Sequence, residues 1–364
     1  SLLMVTTIAA SSASADHQVI TLPVDRGVVC LRGLSPQRLR FELEYALERG
    51  STANSFLFEP GPDATGVEQP AVLVHPPGMA YSSVFVPALL KALPAMDQPL
   101  LIVVGHVNPN RVALLQELAG VYPGLELIAS NPGAKLLEEL WHQRKPAPPG
   151  VEEEQAALPP FPPLRVIRRE EFQPLSNGRN LLLLPAPTPR WPGGLMAFEQ
   201  RFGLLMSDKF FSAHLCTSAW AEANRSSTEE ERRHFYDCLM APMARKVDLI
   251  VERLEELSIR TIAPAHGPAI EASWRSLLND YHRWGESHQQ STLNVVLLFA
   301  SAYGNTSAIA DALARGVSRT NIRVTSLNCE FTPAAELVAA IQSADGILIG
   351  SPTLGGHAPT PVVS

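Results

Sequence analysis

Between Asn294 and Gly350 the chain alternates strand-like and helical stretches, and no other segment restricts the possible folds as strongly. Asn294 to Phe299 is a continuous apolar run, Ala300 to Ser307 reads ASAYGNTS, and Ala308 to Gly316 has a helical period. The strands Arg323 to Leu327 and Gly346 to Gly350 follow, separated by a helix from Ala334 to Ser343. This alternation predicts a parallel, doubly wound sheet. Ligands of such sheets bind beyond the carboxyl ends of the strands.

Two loops fall on that edge. Ser301, Tyr303, Gly304, Asn305, Thr306 and Ser307 combine hydroxyls, a glycine for a tight turn and the start of a helix, a set of donors that suits one phosphate. Ser351, Pro352, Thr353, Leu354, Gly355 and Gly356 end the strand Gly346 to Gly350, where a flat ring can lie against the backbone. No lysine follows the first loop as a Walker loop requires, and G-x-G-x-x-G is absent. Polar turns that only cap helices are the plainer reading of both. The chain stops at Ser364, about half of a unit whose usual size is roughly 100 to 150 residues, so a truncated unit is expected.

Upstream, Leu100 to Arg111 reads LLIVVGHVNPNR, a buried strand followed by a loop. His106, Asn108, Asn110 and Arg111 stand at the spacing of an H-x-[EH]-x-D-H metal loop. A loop leaving a strand end can turn alternate side chains, plus the last adjacent one, toward a common point, where imidazole and carboxylate bind iron or zinc. Only the first histidine is intact. The asparagines are neutral and weak ligands, and Arg111 is a fixed cation that cannot ligate a metal. Arg190, Asp208 and His266 also follow strand ends, and such loops gather into a site. Read alone, His106 and His266 serve equally well as hydrogen-bonded core histidines, and Asp208 as the partner of an arginine.

Further expected elements are a hairpin over Gln18 to Leu31, strands at Asn54 to Phe58 and Ala71 to His75, and helices at Phe41 to Leu47 and Ser82 to Leu93. The longest helical candidate is Glu229 to Leu257, opened by Ser226 or Ser227 as a capping box. Lys145 to Pro163 carries seven prolines and reads as an extended surface loop. The domain boundary falls later, giving units 1–288 and 289–364.

The length of 364 residues suits two domains, and a net charge of -7 argues against a nucleic-acid partner. Cys30, Cys216, Cys238 and Cys329 are scattered without a C-x-x-C pair, so neither a zinc knuckle nor a disulfide framework is expected, and a reducing cytoplasm fits best. Leu2 to Ala10 lacks a basic leading region and falls short of the about 20 apolar residues a membrane span needs. It reads as part of the first strand region, with Met4 as a natural start. No transmembrane segment is expected.

The Ser301 loop is similar to the flavodoxin phosphate motif T/S-x-T-G-x-T, with Ser301 first, Tyr303 in the third place and Thr306 last. RFELEYALERGSTANSFLFE (Arg40 to Glu59), IAPAHGP around His266 and ASAYGNTSAIADAL resemble the entry segment, last histidine loop and flavodoxin start of flavodiiron proteins, also called A-type flavoproteins. SPTLGGHAPTP is similar to the cyanobacterial members. The resemblance covers nearly the whole chain. It implies a metallo-β-lactamase-like αββα sandwich followed by a partial flavodoxin-like sheet. Members of this family reduce oxygen to water, or in some lineages nitric oxide, at a diiron centre fed by FMN. Cyanobacterial members take electrons from NAD(P)H through a further flavin reductase domain. The resemblance also implies a head-to-tail homo- or heterodimer, with the FMN of one subunit facing the iron of the other and the two sites of one chain far apart.

Carried over position by position, the family's ligand loop becomes His106, Asn108, Asn110 and Arg111, and the histidine before W-P-D becomes Arg190. His106, Asp208 and His266 are the surviving ligand positions. One carboxylate and two imidazoles cannot neutralise two irons beside two guanidiniums. Arg111 or Arg190 is therefore expected to fill the place of iron and pair with Asp208. The implied function is an FMN-dependent oxidoreductase whose own diiron site is degenerate and which relies on a metal-competent partner subunit. A non-catalytic dimerisation or regulatory subunit and a metallo-β-lactamase-like hydrolase are the alternatives.

Overall fold

The computed structural model describes residues 17–36, 49–93, 97–143, 158–290, 293–301, 304–318, 320, 322–353 and 358–363. Tyr303, Leu354, Gly355, Gly356, the expected helix Phe41 to Leu47, the apolar start Leu2 to Ala10 and residues 145–157 of the proline-rich stretch lie outside the described residues.

The first part builds two large sheets beside a two-stranded pair, Gly61–Pro62 with Glu68–Gln69. Strands β1 (Gln18–Asp25), β2 (Val28–Ser35), β3 (Ser51–Phe58), β4 (Ala71–Val74), β5 (Leu100–Val103), β6 (Leu125–Ser130) and β7 (Leu164–Ile167) lie in chain order, antiparallel as far as β4 and parallel from β4 onward. The second sheet is β8 (Glu171–Pro174), β9 (Asn180–Pro185), β10 (Leu195–Glu199), β11 (Leu204–Met206) and β12 (Thr261–Ala263), with β12 parallel to β11. Alternation along each strand assigns the faces. Leu100 and Ile102 point toward helices α1 (Ser82–Ala92), α2 (Pro109–Val121) and α3 (Asn131–Trp141), while Leu101 and Val103 meet Leu181, Leu183 and Met206 of the opposite sheet. The outer face of the second sheet packs on α4 (Glu229–Phe235), α5 (Ala244–Glu255) and α6 (Trp274–Gln289). The layers run helix, sheet, sheet, helix, the αββα order expected.

The long helix expected over Glu229 to Leu257 is broken. Pro242 has no N–H to offer the carbonyl of Cys238, and the N–H of Ala241 reaches back to Tyr236 instead, so Tyr236–Met240 winds as a π turn and Ala241–Met243 as a 3₁₀ turn before α5 resumes. No capping box forms at its start: the Asn224 side chain accepts from the Ser227 N–H, and Thr228 precedes α4 without a side-chain cap.

A third sheet follows, with β13 (Asn294–Phe299) between β14 (Arg323–Asn328) and β15 (Gly346–Gly350), all parallel. Helix α7 (Asn305–Ser318) lies on one face and α8 (Ala334–Gln342) on the other. The bent segment Tyr236 to Met243 packs against α7 and β14. Arg190 pairs with Asp311 of α7, Lys246 with Glu336 of α8 at 3.4 Å, and Arg323 donates to the Gln289 carbonyl at 3.2 Å. No helix among the described residues is long and apolar enough to cross a membrane.

Candidate functional site

Strands β4 and β5 run parallel side by side, so the residues just beyond them, His75 and His106, emerge at the same edge. Asp208 arrives from the opposite sheet, two residues past β11, in a left-handed conformation with φ 51°. Its carboxylate accepts the His106 backbone N–H at 2.7 Å and lies 2.9 Å from His106 Nδ1. Gly105 makes this approach possible, because a Cβ there would sit 2.5 Å from Asp208 Oδ2.

Charge decides the protonation of this cluster. Burial raises the Asp208 carboxyl, but the imidazoles of His106 and His75 and the Arg111 guanidinium outweigh it and hold the group well below the usual carboxylate range. Burial and the nearby Arg111 charge push His106 down to about 3, against the opposing pull of Asp208. A neutral imidazole beside an ionised carboxylate must donate from Nδ1. Arg111, 3.2 Å from that same nitrogen, therefore makes its hydrogen bond to the His106 carbonyl at 3.1 Å, with its charge 3.8 Å from Asp208 Oδ1. Burial likewise lowers His75, whose Nε2 donates to the Leu195 carbonyl at 2.8 Å.

The third family position follows the same logic. His266 Nδ1 is 2.7 Å from the Thr52 carbonyl, which can only accept, so this nitrogen carries the proton and Nε2 keeps the lone pair. That lone pair faces the Lys209 ammonium at 2.9 Å, and Lys209 is 3% exposed. Lysine thus stands where a metal would meet the imidazole. Among the described residues, no group of three or more histidine, cysteine, aspartate or glutamate side chains is arranged to hold a metal ion.

The replaced positions have separate uses. Asn108 caps α2 by accepting the Arg111 N–H at 2.8 Å, and Asn110 is exposed in the first turn. Arg111 is buried beside Asp208. Arg190 turns away from Asp208: its guanidinium stacks 5.2 Å from the Trp191 ring and pairs with Asp311 of α7. Of the two arginines offered for Asp208, Arg111 is the one placed beside it, while Arg190 pairs with Asp311 instead.

In the second unit the loops after β13 and β15 are neighbours, since those strands pair directly. Ser301 Oγ accepts the Ser307 N–H at 3.1 Å, and Gly304 has φ 82°, a left-handed turn that glycine adopts without strain. Thr306 lies close to Gly350, where a Cβ would come within 3.3 Å of its methyl group. Ser351, Pro352 and Thr353 continue from β15 along the same edge. A Cβ on Gly304 would lie 3.9 Å from Pro109 Cδ, so this loop abuts the His106 to Arg111 loop of its own chain. The loop thus touches the first unit at Pro109, where α7 and β14 dock on the Tyr236 to Met243 bend.

Comparison with known proteins found no matching family model. A protein named diflavin flavoprotein A 6 from Nostoc sp. PCC 7120 is 37% identical over 351 residues, 96% of this chain and 57% of that protein. Diflavin flavoprotein A 3 from Synechocystis sp. PCC 6803 is also 37% identical, over 95% of this chain and 54% of its own length. The chain thus spans about half the length of the curated relatives it matches. A solved structure described as a metal-soaked flavodiiron core from Synechocystis sp. PCC6803 is 36% identical with TM-score 0.85, covering 95% of this chain and 80% of that one. The chain belongs to the flavodiiron proteins. The rubredoxin oxygen:oxidoreductase of Desulfovibrio gigas, at 17% identity and TM-score 0.62, shares the fold.

For a flavodiiron protein, the donor set does not fit a pair of irons: the one carboxylate lies beside the buried Arg111 guanidinium, and Lys209 occupies the His266 lone pair. The second-unit loop does fit a phosphate, with the N–H groups at the start of a 14-residue helix and the Ser301, Thr306 and Ser307 hydroxyls beside them. Sequence reasoning missed Lys209, His75, Gly105 and Thr52. Lys209 directly follows Asp208, and a lysine beside a ligand position was a signal available in the sequence. His75 ends an apolar run just as His106 nearly does. Thr52 meets His266 through its carbonyl, which no side-chain pattern reveals.

Proposed function

We propose that this chain is part of a flavodiiron-type oxidoreductase that moves electrons through FMN held by the Ser301 to Ser307 and Ser351 to Gly356 loops, while its own diiron position is iron-free. FMN, when bound, supplies one- and two-electron redox chemistry. Ser301, Thr306 and Ser307 would hold its phosphate, and the backbone around Pro352 and Thr353 would border its ring. His106, Asp208 and His266 are the surviving ligand positions, and Asn108, Asn110, Arg111 and Arg190 the replaced ones. Reduction of oxygen to water, with NAD(P)H as the ultimate donor, then takes place at the site of a metal-competent partner subunit in a homo- or heterodimer. We divide the chain into 1–288 and 289–364, and place it in a reducing cytoplasm.

The Lys209 contact to His266 carries this reading. An ammonium 2.9 Å from Nε2 occupies the direction a metal would take, and a second cation lies beside the carboxylate. A non-catalytic, regulatory subunit is the second reading, favoured by the same two cations. A metal-dependent hydrolase is disfavoured, since it needs the lone pairs that Lys209 and His106 already engage.

Elemental analysis after expression with iron tests the reading. The wild type is expected to hold less than one iron per chain. A variant with Asn108→Glu, Asn110→Asp, Arg111→His, Arg190→His and Lys209→Ala is expected to gain iron. Two irons in the wild type would restore an independent oxygen reductase. Bound flavin, read by absorbance, separates the redox subunit from the regulatory one.

A further inference from the structure

A cavity of about 580 Å³ lies between the two units, with neither His106, Asp208, His266 nor the Ser301 loop in its lining. Its walls come from the Tyr236 to Met243 bend and the start of α5 on one side, and from β14 and α8 on the other. That volume is in the range of small-molecule sites, which favour domain interfaces.

The edge of β14 faces this cavity. In the sheet order β14, β13, β15, strand β14 has a neighbour on one side only. Arg323 donates its N–H to Leu293 and Cys329 to Phe299, so the odd-numbered residues of β14 turn their backbone groups toward β13. In a parallel ladder the even-numbered residues then turn N–H and C=O outward. Val324 does so, with both groups 3.3 Å from His288 Nε2. Ser326 comes next; it is 5% exposed and lines the cavity. Its outward N–H and C=O present a donor and an acceptor side by side. A buried backbone pair of this kind calls for a partner.

Charge supplies the second requirement. Arg245, Lys246 and Arg323 line the cavity together with a single carboxylate among the described lining residues, Glu336. Glu336 is 3.4 Å from Lys246, so no lining carboxylate is left over for Arg245 and Arg323. Val296, Leu327 and Ala340 give an apolar floor between the charges and the backbone edge.

We propose that this cleft binds a small organic anion built on a flat heteroaromatic ring, whose adjacent acceptor and donor atoms pair with the Ser326 N–H and C=O while its anionic group meets Arg323 and Arg245. A purine nucleotide has this chemistry. The ring atom accepts from the backbone N–H, an exocyclic amino group donates to the carbonyl, and the phosphate lies toward the arginines.

Isothermal titration of this chain with AMP, adenosine and inorganic phosphate tests the proposal. AMP is expected to bind once per chain with a submillimolar Kd, and adenosine and phosphate at least tenfold more weakly. Arg323→Gln should weaken AMP at least fivefold. Ser326→Pro, tolerated where an edge-strand N–H is unpaired, should weaken it at least tenfold with an unchanged far-ultraviolet spectrum. The double variant Ser301→Ala, Thr306→Ala, which alters the flavin loop, should leave AMP binding intact. Absence of AMP binding to the wild type, equal binding of AMP and phosphate, or loss of AMP in the flavin-loop variant alone would overturn the proposal.

Discussion

The two loop clusters of this chain meet at Pro109 and Gly304, yet they are built in opposite ways. In the first unit, the side chains at the surviving ligand positions are buried and their partners are internal: Asp208 to His106, His266 to Lys209 and Thr52. In the second unit, a helix start and three hydroxyls stand at a sheet edge that is open enough for Ser301, Thr306 and Ser307 to be only partly buried. One cluster has spent its polar groups on itself. The other leaves its hydroxyls partly exposed, with Ser301 Oγ taking the Ser307 N–H. The pairing of lone pairs, which family membership alone does not give, is what sets the two loop clusters apart.

The largest effect should come from breaking the closed cluster. Arg111→Ala leaves Asp208 without its guanidinium in a buried setting, and a loss of about 3 to 5 kcal/mol is expected in urea unfolding. An effect below about 1 kcal/mol would show that His106 alone suffices. Acid should act next. His106 is pushed down to about 3 in the folded chain and returns to about 6.5 when unfolded. A base with a depressed folded value loses stability as pH falls below its unfolded value, by about 2 kcal/mol between pH 6.5 and 5. Asp208 adds no loss in that window, because its depressed carboxyl stays ionised in both states there. His106→Gln should flatten the slope, and an unaltered slope would assign it to other groups.

Smaller effects sharpen the contrast from the other side. Gly105→Ala places a methyl against Asp208 Oδ2 and should cost about 1 to 3 kcal/mol, as overpacking does. Arg190→Ala releases the Asp311 carboxylate and should loosen the second unit, read as faster proteolysis between the units with a stability loss of about 1 kcal/mol. Ser301→Ala should weaken FMN retention about fivefold with no measurable change in melting temperature, since its hydroxyl serves the loop and not a core.

The alternation from Asn294 to Gly350 made the second unit legible, because continuous apolar strands joined by helices leave one topology. The loop LLIVVGHVNPNR was legible as a strand with a loop behind it, and His106 does emerge just past β5. The break at Pro242 was visible as a proline inside a helical pattern, but its outcome, a π turn instead of a helix end, depends on α7 and β14 packing against the bend. The direction of Arg190 was not legible at all. Asp311 lies 121 positions later in the sequence, counted as 311 minus 190, and only the docking of the two units brings it within reach.

Lys209 also bears on how such a site changes over generations. A lysine that has settled onto His266 acts as a ratchet: restoring a carboxylate at Asn108 or Asn110 gains little while the ammonium remains, and removing the ammonium first leaves a buried imidazole without its partner. Each single step back toward iron passes through a less stable chain. The proposed iron-free state would be easier to deepen than to reverse.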